Sequence, residues 1–369
     1  MKAVVVSRVY ADPASRGKLK ALSGLGVTAT AAVPDRWTPL GLTAEHKTSW
    51  GDDGGVRTVP IPIRGNAAAP DLIWSAGALR RLLVDFRPDV VQIEEEPWTR
   101  GAAAAARLSR RLRLPYLVLA RESLSGGYGP IGRLRRSRVL GGAAGLIAVN
   151  ELASRLALRT HPFLPRRVMP QLGVPLPLGT QRTSHAGLSI GFLGRLIPEK
   201  GLDLLFRACV KLVGRWTITV VGTGPAQEDL EALAERLGIA GRVTWLGALP
   251  RAGVDAVWPR LDCVVAPSRT APRWVEVTPR AALEAMAHGI AVVASASGAL
   301  PEAVGLAGVI VPEEDVDALA EALQRLHDLP GEHERLGSVG RRRVMDEFTD
   351  AAIADKTLRF WTEVLSATG

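Results

Sequence analysis

Short, nearly continuous apolar runs alternate with helix-patterned segments along most of this 369-residue chain. Apolar runs without polar alternation are typical of strands buried on both faces of a parallel sheet. In the first half the pattern predicts strands at 3–7, 28–33, 90–94, 116–120 and 145–149, with helices at 17–25, 75–86, 101–112 and 151–159. In the second half it predicts strands at 188–193, 217–221, 243–246, 263–266, 291–294 and 308–311, with helices at 201–213, 226–237, 279–288 and 315–327.

Two such alternations predict an α/β protein with two doubly wound, Rossmann-like domains that face each other across a cleft. The chain is also longer than one domain usually is. Residues 162–187 are rich in Pro and Gly and lose the periodicity. We therefore assign the first domain to 1–170, a linker to 171–187 and the second domain to 188–348, with a last amphipathic helix at about 349–366 that packs back on the first domain.

Composition favours a water-soluble cytoplasmic protein. Hydrophobic residues make up 47% of the chain, and the mean hydropathy is +0.12. No apolar run approaches the length that spans a bilayer, and the N-terminal run is too short for a signal peptide. The two cysteines, Cys209 and Cys263, lie in apolar contexts without metal-ligand spacing, so we expect them in the core of a reduced protein.

Charge is unevenly distributed between the two halves. Residues 1–182 carry a net charge of +14 and the remainder a net charge of −5. The basic half includes Arg107, Arg110, Arg111, Arg113, Arg133, Arg135, Arg136 and Arg138. This pattern suits peripheral contact with the inner membrane face or an anionic acceptor, and an ordinary solvated surface is the alternative. Nucleic acid is disfavoured, because no aromatic-interleaved basic motif occurs.

Two carboxylates eight residues apart, Glu276 and Glu284, flank a predicted helix start. Thr278 suits the N-cap and Pro279 the first helical position. Glu276 then lies on the preceding loop, and Glu284 lies about 9 Å along the helix at 1.5 Å per residue. The positive helix end between them suits a phosphate, so an elongated sugar nucleotide fits this spacing. An amphipathic helix with a solvated glutamate is the alternative.

This segment resembles the E-x7-E motif of retaining, GT-B-fold glycosyltransferases, in particular family four. The resemblance implies that Glu276 binds hydroxyls of the donor sugar and that Glu284 binds the ribose. The segment 191–201 resembles the family's G-R-x-x-x-x-K-G element, with Gly194 at the strand end. Its two cations, Arg195 and Lys200, would stabilise the departing nucleoside diphosphate.

Further donor contacts follow from the same resemblance, in the family's order along the chain. They are Gly222, Gly224, Leu249 in the loop that contacts the base, Ser268, Thr278, Pro279 and Arg280. The segment 297–302 resembles a G-G-x-P-E turn with its second glycine replaced by Ala299. Val277-Thr278-Pro279 also replaces the family's usual glycine-containing run, which leaves the donor sugar open.

The first half matches the family less well. Pro13–Lys18 supplies one glycine where relatives have two, and we place Arg16 and Gly17 near the donor phosphates or the acceptor. Glu95 and Glu122 follow predicted strands, and parallel strands end at the ligand crevice. With no histidine matching the one in many relatives, acceptor activation is assigned to Glu95 or Glu122, with Glu96 and an ion-paired acidic rim as alternatives.

The predicted function is metal-independent, retaining transfer of a sugar from a nucleoside-diphosphate sugar to an acceptor hydroxyl. An anionic or lipid-linked molecule is one candidate for the acceptor. The resemblance implies no cofactor beyond that donor. Asp315-Val316-Asp317 spells a metal motif of another fold, but an acidic helix start explains it better. The alternatives are a non-catalytic sugar-nucleotide-binding protein and a sugar-nucleotide epimerase or hydrolase of the same fold.

Overall fold

The computed structural model of the protein divides the chain into two compact units. The first comprises Met1–Gly173 and Asp350–Gly369, and the second comprises Val174–Thr349. The structure describes residues 1–38, 45–65, 72–124, 127–177, 179, 183 and 185–368. The second unit thus begins inside the predicted linker 171–187, before residue 188. Residues 178, 180–182 and 184 of that linker lie outside the described residues.

An eight-stranded sheet forms the centre of the first unit. Its strands in spatial order are Arg166–Val168, Gly145–Ala148, Tyr116–Ala120, Val90–Ile93, Lys2–Val6, Thr28–Pro34, Val56–Ile61 and Gly51–Asp53. All neighbours are parallel except the last pair, which forms an antiparallel hairpin. The strand order reverses between Lys2–Val6 and Val90–Ile93, as it does in doubly wound folds.

A six-stranded parallel sheet forms the centre of the second unit. Its spatial order is Val243–Trp245, Trp216–Val221, Leu188–Leu193, Cys263–Ala266, Ala291–Ser295 and Gly308–Val311. Counted from the first strand of this unit, the order is 3-2-1-4-5-6, which is the Rossmann arrangement. Leu188–Leu193 and Cys263–Ala266 flank the reversal, so ligands are expected beyond the carboxyl ends of these two strands. The predicted fold class, two Rossmann-like domains, is confirmed.

Helices cover the faces of both sheets. In the first unit they are Gly17–Gly24, Ala76–Phe86, Arg100–Arg111, Pro130–Gly141, Glu151–Leu158 and Asp350–Thr368. In the second unit they are Leu202–Val210, Gln227–Arg236, Arg251–Asp255, Arg280–Ala287, Leu300–Val304, Val316–Asp328 and Pro330–Glu347. Two strand pairs, Arg36–Trp37 with His46–Lys47 and Ile63–Arg64 with Ile73–Trp74, lie outside the main sheets.

Local sequence determines where several helices begin. Ser75, Thr99 and Asn150 each accept a hydrogen bond from the backbone N–H three residues later. Asp315 caps its helix in the same way, so the prediction that it belongs to an acidic helix start is confirmed. Among the described residues, no group of three or more His, Cys, Asp or Glu side chains is arranged to hold a metal ion.

The sequence pattern missed two long helices, Pro130–Gly141 and Pro330–Glu347, and three strands of the first sheet, Gly51–Asp53, Val56–Ile61 and Arg166–Val168. The helix Pro330–Glu347 was missed because its glycines lower helix propensity. In the structure they serve close packing. A Cβ on Gly337 would lie 1.9 Å from the Gly289 carbonyl oxygen, and one on Gly340 would lie 3.0 Å from Met286. The helix therefore approaches its neighbour Arg280–Ala287 at backbone distance.

Apolar side chains fill both faces of each sheet. Cys209 and Cys263 are both free and fully buried in the second unit, as predicted. The final helix, Asp350–Thr368, packs within the first unit through Phe360 and Trp361, whose indole N–H donates to Gln92 Oε1 at 2.7 Å. No helix in the described part of the chain has the length and apolar character needed to cross a bilayer.

Candidate functional site

Two loops meet at the strand-order reversal of the second sheet. One follows Leu188–Leu193 and runs from Gly194 to Gly201, and the other begins at Pro267 after Cys263–Ala266. Gly201 has φ +70°, and a Cβ there would lie 2.0 Å from the Pro267 carbonyl oxygen. Only glycine permits both this conformation and this close approach. The contact places Lys200 beside the segment that begins at Ser268.

Lys200, Ser268 and Glu276 form one connected group. Lys200 Nζ lies 2.5 Å from Glu276 Oε2, and Ser268 Oγ donates to the same oxygen at 3.1 Å. Glu276 is 6% exposed and Ser268 1% exposed. The ring of Trp274 lies 5.4 Å from Lys200 Nζ and covers one side of the ammonium. The structure thus brings together three residues that the sequence placed at one site, 76 positions apart at the extremes.

Gly298 holds the backbone of Glu276 from the other side. Its φ is +55°, and a Cβ there would lie 2.1 Å from the Glu276 carbonyl oxygen. The same oxygen accepts a hydrogen bond from Ala299 N at 2.8 Å. The turn that resembles G-G-x-P-E therefore fixes the loop carrying Glu276, and its second residue can be alanine because only Gly298 needs the left-handed conformation.

Arg195 lies on the same loop as Lys200 but has a different environment. Its side chain is exposed, and no described carboxylate lies within ion-pair distance of it. Burial of Leu196 next to it anchors the loop backbone. Among the described residues, no carboxylate neutralises the charge of Arg195. The side chain is therefore available to bind an anion.

The helix start after Glu276 differs from the prediction by one residue. The helix begins at Arg280, and Pro279 is the N-cap with ψ 66°, outside the helical region. The Thr278 hydroxyl makes no capping bond, although the Thr278 carbonyl accepts from Arg280 N at 2.8 Å. Pro279 precedes the helix because its backbone turns away from helical geometry. No side chain then caps the first turn, so its N–H groups other than that of Arg280 are available to a ligand.

A small cavity lies in front of this helix start. Lys200, Ser268, Glu276, Pro279 and Arg280 contribute to its wall, and its volume is about 30 Å³. That volume holds about one water molecule. The cavity joins the ion pair to the helix end, so a hydroxyl group there would contact both.

Glu284 is held by two arginines and does not contact Glu276 in the described structure. Its Oε1 accepts from Arg280 Nε at 2.7 Å and from Arg251 at 2.9 Å, and the side chain is largely buried. Sequence reasoning placed Arg280 on the donor but missed its pairing with Glu284, although the i, i+4 spacing signalled it. Arg251 was missed because nothing in the sequence links it to a residue 33 positions away.

The other predicted donor glycines have packing reasons of their own. Gly222 has φ +131°, and a Cβ there would lie 1.9 Å from the Gly194 carbonyl oxygen. A Cβ on Gly224 would lie 2.2 Å from the Leu196 carbonyl oxygen. Gly222 and Gly224 therefore allow their own loop to contact the loop that runs from Gly194 to Gly201. Leu249 is half-buried against the core of the same unit, and the contact of these residues with a nucleotide stays a prediction.

In the first unit, protein groups contact Arg16 and Gly17, and their place near the donor phosphates or the acceptor stays a prediction. The Arg16 guanidinium is buried and donates to the carbonyl oxygens of Tyr10 at 2.8 Å and Ala11 at 3.2 Å. A Cβ on Gly17 would lie 1.9 Å from Asp350 Oδ2. Arg16 therefore braces its own loop, and Gly17 admits the final helix. The Arg16 guanidinium is therefore engaged by protein groups, whereas Gly17 is partly exposed.

Glu95 is corrected, since it is 1% exposed and does not present its carboxylate to solvent. Its Oε1 accepts from Arg8 N at 3.1 Å. Burial raises the pKa of Glu95, and the Arg8 guanidinium acts in the opposite direction. The neighbouring Glu94 is fully buried, with Lys18 Nζ at 2.6 Å and Gln171 Nε2 at 2.9 Å. These carboxylates hold the sheet edge together, a role that sequence reasoning did not assign.

Glu122 keeps the properties expected of a proton-transferring group. It lies at the end of the strand Tyr116–Ala120, half-buried, with Arg136 Nε 3.6 Å from Oε2 and the Tyr128 hydroxyl as a hydrogen-bond partner. Burial raises the pKa of Glu122 to about 7, against the opposing effect of Tyr128 and Arg136. Glu96, the other alternative, accepts from Arg121 N and Nε at 3.1 and 3.2 Å.

Comparison with known proteins follows the two units. The family described as "Glycosyl transferases group 1" matches residues 187–328, and "Glycosyl transferase 4-like domain" matches residues 13–179. Among solved structures, sucrose-phosphate synthase from Thermosynechococcus elongatus superposes with TM-score 0.72 at 20% identity and complete coverage of both chains. Anabaena HepE in complex with UDP superposes with TM-score 0.74 at 17% identity, over 98% of this chain and 100% of HepE. These likenesses establish the fold.

Curated relatives are more similar in sequence. The GDP-mannose-dependent alpha-(1-6)-phosphatidylinositol monomannoside mannosyltransferase of Mycolicibacterium smegmatis is 35% identical over 42% of this chain and 43% of its own length. The D-inositol 3-phosphate glycosyltransferase of Mycobacterium avium is 33% identical over 54% and 50%. The chain thus spans about half the length of these two relatives. The 2-deoxystreptamine glucosyltransferase of Streptomyces kanamyceticus is 28% identical over 79% of this chain and 82% of its own. The two family matches and the shared fold lead to one conclusion: the chain belongs to the group 1 glycosyltransferases.

Proposed function

We propose that this protein is a retaining glycosyltransferase that moves a sugar from a nucleoside-diphosphate sugar to an acceptor hydroxyl. The observation that carries the proposal is the Lys200–Glu276 pair at the strand-order reversal, next to an uncapped helix start. A cation and a carboxylate in contact suit a ligand that carries phosphate next to hydroxyl groups. Family membership supports the same reaction class.

In the proposed reaction the bond between the sugar and the β-phosphate oxygen breaks as the bond to the acceptor oxygen forms on the same face. Lys200 and Arg195 stabilise the negative charge that develops on the departing diphosphate, assisted by the N–H groups of the helix that begins at Arg280. These fixed cations supply the neutralisation for which other enzymes use a metal ion, so we propose metal-independent transfer. Glu276 holds the donor-sugar hydroxyls, and Ser268 orients its carboxylate.

Glu284 is the proposed ribose ligand. Both arginine contacts are made to Oε1, so a ribose hydroxyl would bind Oε2 or displace one arginine. Because Arg251 and Arg280 are each about half-exposed at their side chains, either is able to turn toward the diphosphate once the donor is present.

Glu122 is the proposed group that accepts the proton of the acceptor hydroxyl. Its pKa of about 7 lets it take up a proton near neutral pH, and unlike Glu95 it retains some exposure to solvent. The relatives' names include inositol phosphate, a phosphatidylinositol monomannoside and 2-deoxystreptamine as substrates of those proteins. We therefore propose an acceptor that bears a hydroxyl group, and an anionic or lipid-linked molecule is one candidate.

Thermal shift with UDP, GDP, ADP, CMP and dTDP tests the donor site first. A nucleotide present at 100 times its dissociation constant adds roughly 2.7 kcal/mol to the free energy of unfolding. The matching sugar nucleotide, tested with a panel of hydroxyl acceptors, should then yield a product with the donor's anomeric configuration at a rate that EDTA leaves unchanged. Inversion of configuration would contradict retention, and a folded protein that responds to no nucleotide would contradict the donor site.

A further inference from the structure

The first unit carries a surface with an unusual combination of charge and exposed apolar side chains. It comprises the end of the helix Arg100–Arg111, the helix Pro130–Gly141 and the turn at 159–166; we call it the basic apolar surface. Residues 107–114 contain four arginines and residues 127–144 contain four, and neither segment contains an aspartate or glutamate. From these observations we propose that the basic apolar surface docks on a lipid bilayer that carries anionic headgroups.

Arg136 of this surface pairs with Glu122, but seven of the other arginines form no ion pair to a described carboxylate. Some exposed arginines elsewhere do pair with carboxylates, as Arg167 does with Glu363 and Arg359 with Asp355. No ion pair to a described carboxylate is formed by Arg107, Arg110, Arg111, Arg113, Arg133, Arg135 or Arg138. Clustered like charges repel one another, and an anionic surface relieves that repulsion.

The helix Pro130–Gly141 has apolar residues on both of its faces. Gly132, Arg136, Val139 and Leu140 face the protein interior. On the opposite face Ile131 is 65% exposed and Leu134 is 51% exposed, three residues apart and therefore adjacent on the helix surface. Arg135 and Arg138 each follow one of them by four residues. Aliphatic side chains flanked by arginines are the composition of a helix that lies in a membrane interface.

A third apolar side chain lies beside the same helix. Phe163 is 95% exposed. Its turn is attached to the helix through Thr160, which accepts from Arg136 at 3.1 Å, and through His161, whose ring lies 3.4 Å from the position of a Cβ on Gly141. The exposed Arg159 and Arg166 flank Phe163 in sequence. The turn therefore extends the apolar stripe and keeps its basic border.

The two helices contribute to one continuous surface. They pack against each other, and the Arg110 side chain lies 3.0 Å from the position of a Cβ on Gly142, at the end of the second helix. Arginine side chains bury their methylene stems at an interface while the guanidinium reaches phosphate, so charge and apolar contact act together. A polynucleotide would use the same charges, but it gives no apolar medium to Ile131, Leu134 and Phe163. The bilayer accounts for both features.

Vesicle flotation of the full chain tests the proposal, with phosphatidylcholine vesicles that contain or lack phosphatidylglycerol. We expect binding only with phosphatidylglycerol, weaker at high salt. Arg138→Gln should lower the partition coefficient about fivefold, whereas Arg342→Gln, an exposed arginine of the second unit, should not change it. Ile131→Ser with Leu134→Ser, or Phe163→Ser alone, should lower binding at unchanged charge. Leu306→Ser, which removes a 91% exposed leucine of the second unit, is the matched control.

Three results would overturn the proposal. They are the absence of binding, equal binding to both kinds of vesicle, and binding that depends on Arg138 but not on the apolar side chains. The last result, with retention of an oligonucleotide, would identify a polyanion surface. The inference does not depend on glycosyl transfer, because flotation requires neither donor nor acceptor. Melting temperatures of the variants exclude loss of folding as the cause.

Discussion

Replacing Glu276 by glutamine should separate nucleotide binding from sugar transfer. Glutamine keeps the shape of the side chain and an acceptor for Ser268, but it removes the negative charge 2.5 Å from Lys200 Nζ. In the proposed complex that carboxylate opposes the diphosphate electrostatically while it holds the sugar. We therefore expect tighter binding of the free nucleoside diphosphate and slower transfer.

The expected magnitude follows from the geometry of the pair. A phosphate oxygen about 2.8 Å from the far side of the ammonium would lie roughly 5 Å from the Glu276 carboxylate. At that distance Coulomb repulsion is about 0.8 kcal/mol in water and about 3 kcal/mol at an effective dielectric of 20. Because Glu276 is buried and Lys200 is 23% exposed, we take about 1 to 2 kcal/mol, or roughly 5- to 30-fold in Kd. Loss of a charged hydrogen bond to the sugar should lower transfer by about tenfold to a hundredfold.

Calorimetric titration of the nucleoside diphosphate and initial rates of transfer measure the two effects. Lys200→Met should weaken nucleotide binding, in the opposite direction to Glu276→Gln. Glu235→Gln removes an equal charge from the exposed face of the helix Gln227–Arg236 and serves as the control. If Glu276→Gln weakened nucleotide binding as Lys200→Met does, or left transfer unchanged, the assignment of Glu276 to the donor sugar would be refuted.

Three further substitutions have defined outcomes. Gly298→Ala should slow transfer and cost about 1 to 3 kcal/mol in denaturant unfolding, since its Cβ meets the Glu276 carbonyl at φ +55°; unchanged rates would contradict the proposed bracing. Because the folded state raises the pKa of Glu122, the free energy of unfolding of the first unit should fall by about 1 to 2 kcal/mol as pH rises from about 4.5 to 7. Glu122→Gln should remove this fall, so that the melting temperature changes less with pH over the same range. Burial beside Trp258 lowers the pKa of His288 to about 4. The free energy of unfolding of the second unit should therefore fall as pH falls from 6.5 to 4. His288→Phe should keep the ring stacking and remove that loss, and a persistent slope in the same melting curves would exclude His288 as its source.

The sheets were predictable because their strands are buried on both faces, so that each reads as an apolar run. Tyr116–Ala120, Leu188–Leu193 and Cys263–Ala266 have the predicted bounds. The helix Pro330–Glu347 escaped prediction for the opposite reason. Its glycines serve contact with a neighbouring helix, and sequence alone does not identify that neighbour.

The candidate site was predictable where a residue's partner lies in a motif. Lys200, Ser268 and Glu276 belong to segments with recognisable spacing, and the structure places them in contact. The contacts of side chains that bind protein groups outside a motif were not predictable. Arg16 binds carbonyl oxygens of its own loop, and Glu95 is covered by the backbone of Arg8. Charge at a strand end therefore indicates a functional edge without showing which carboxylate is exposed.

The return of the final helix to the first unit determines the order in which the protein is completed during synthesis. Val174–Thr349 is continuous, whereas the first unit needs the helix that begins at Asp350. That helix supplies Trp361 to Gln92 and covers Gly145 with Phe360. The segment of the second unit is therefore fully synthesised before the last helix of the first unit, whose sheet that helix covers. A chain ended at Thr349 should accordingly resist protease in the second unit and be cut in the first.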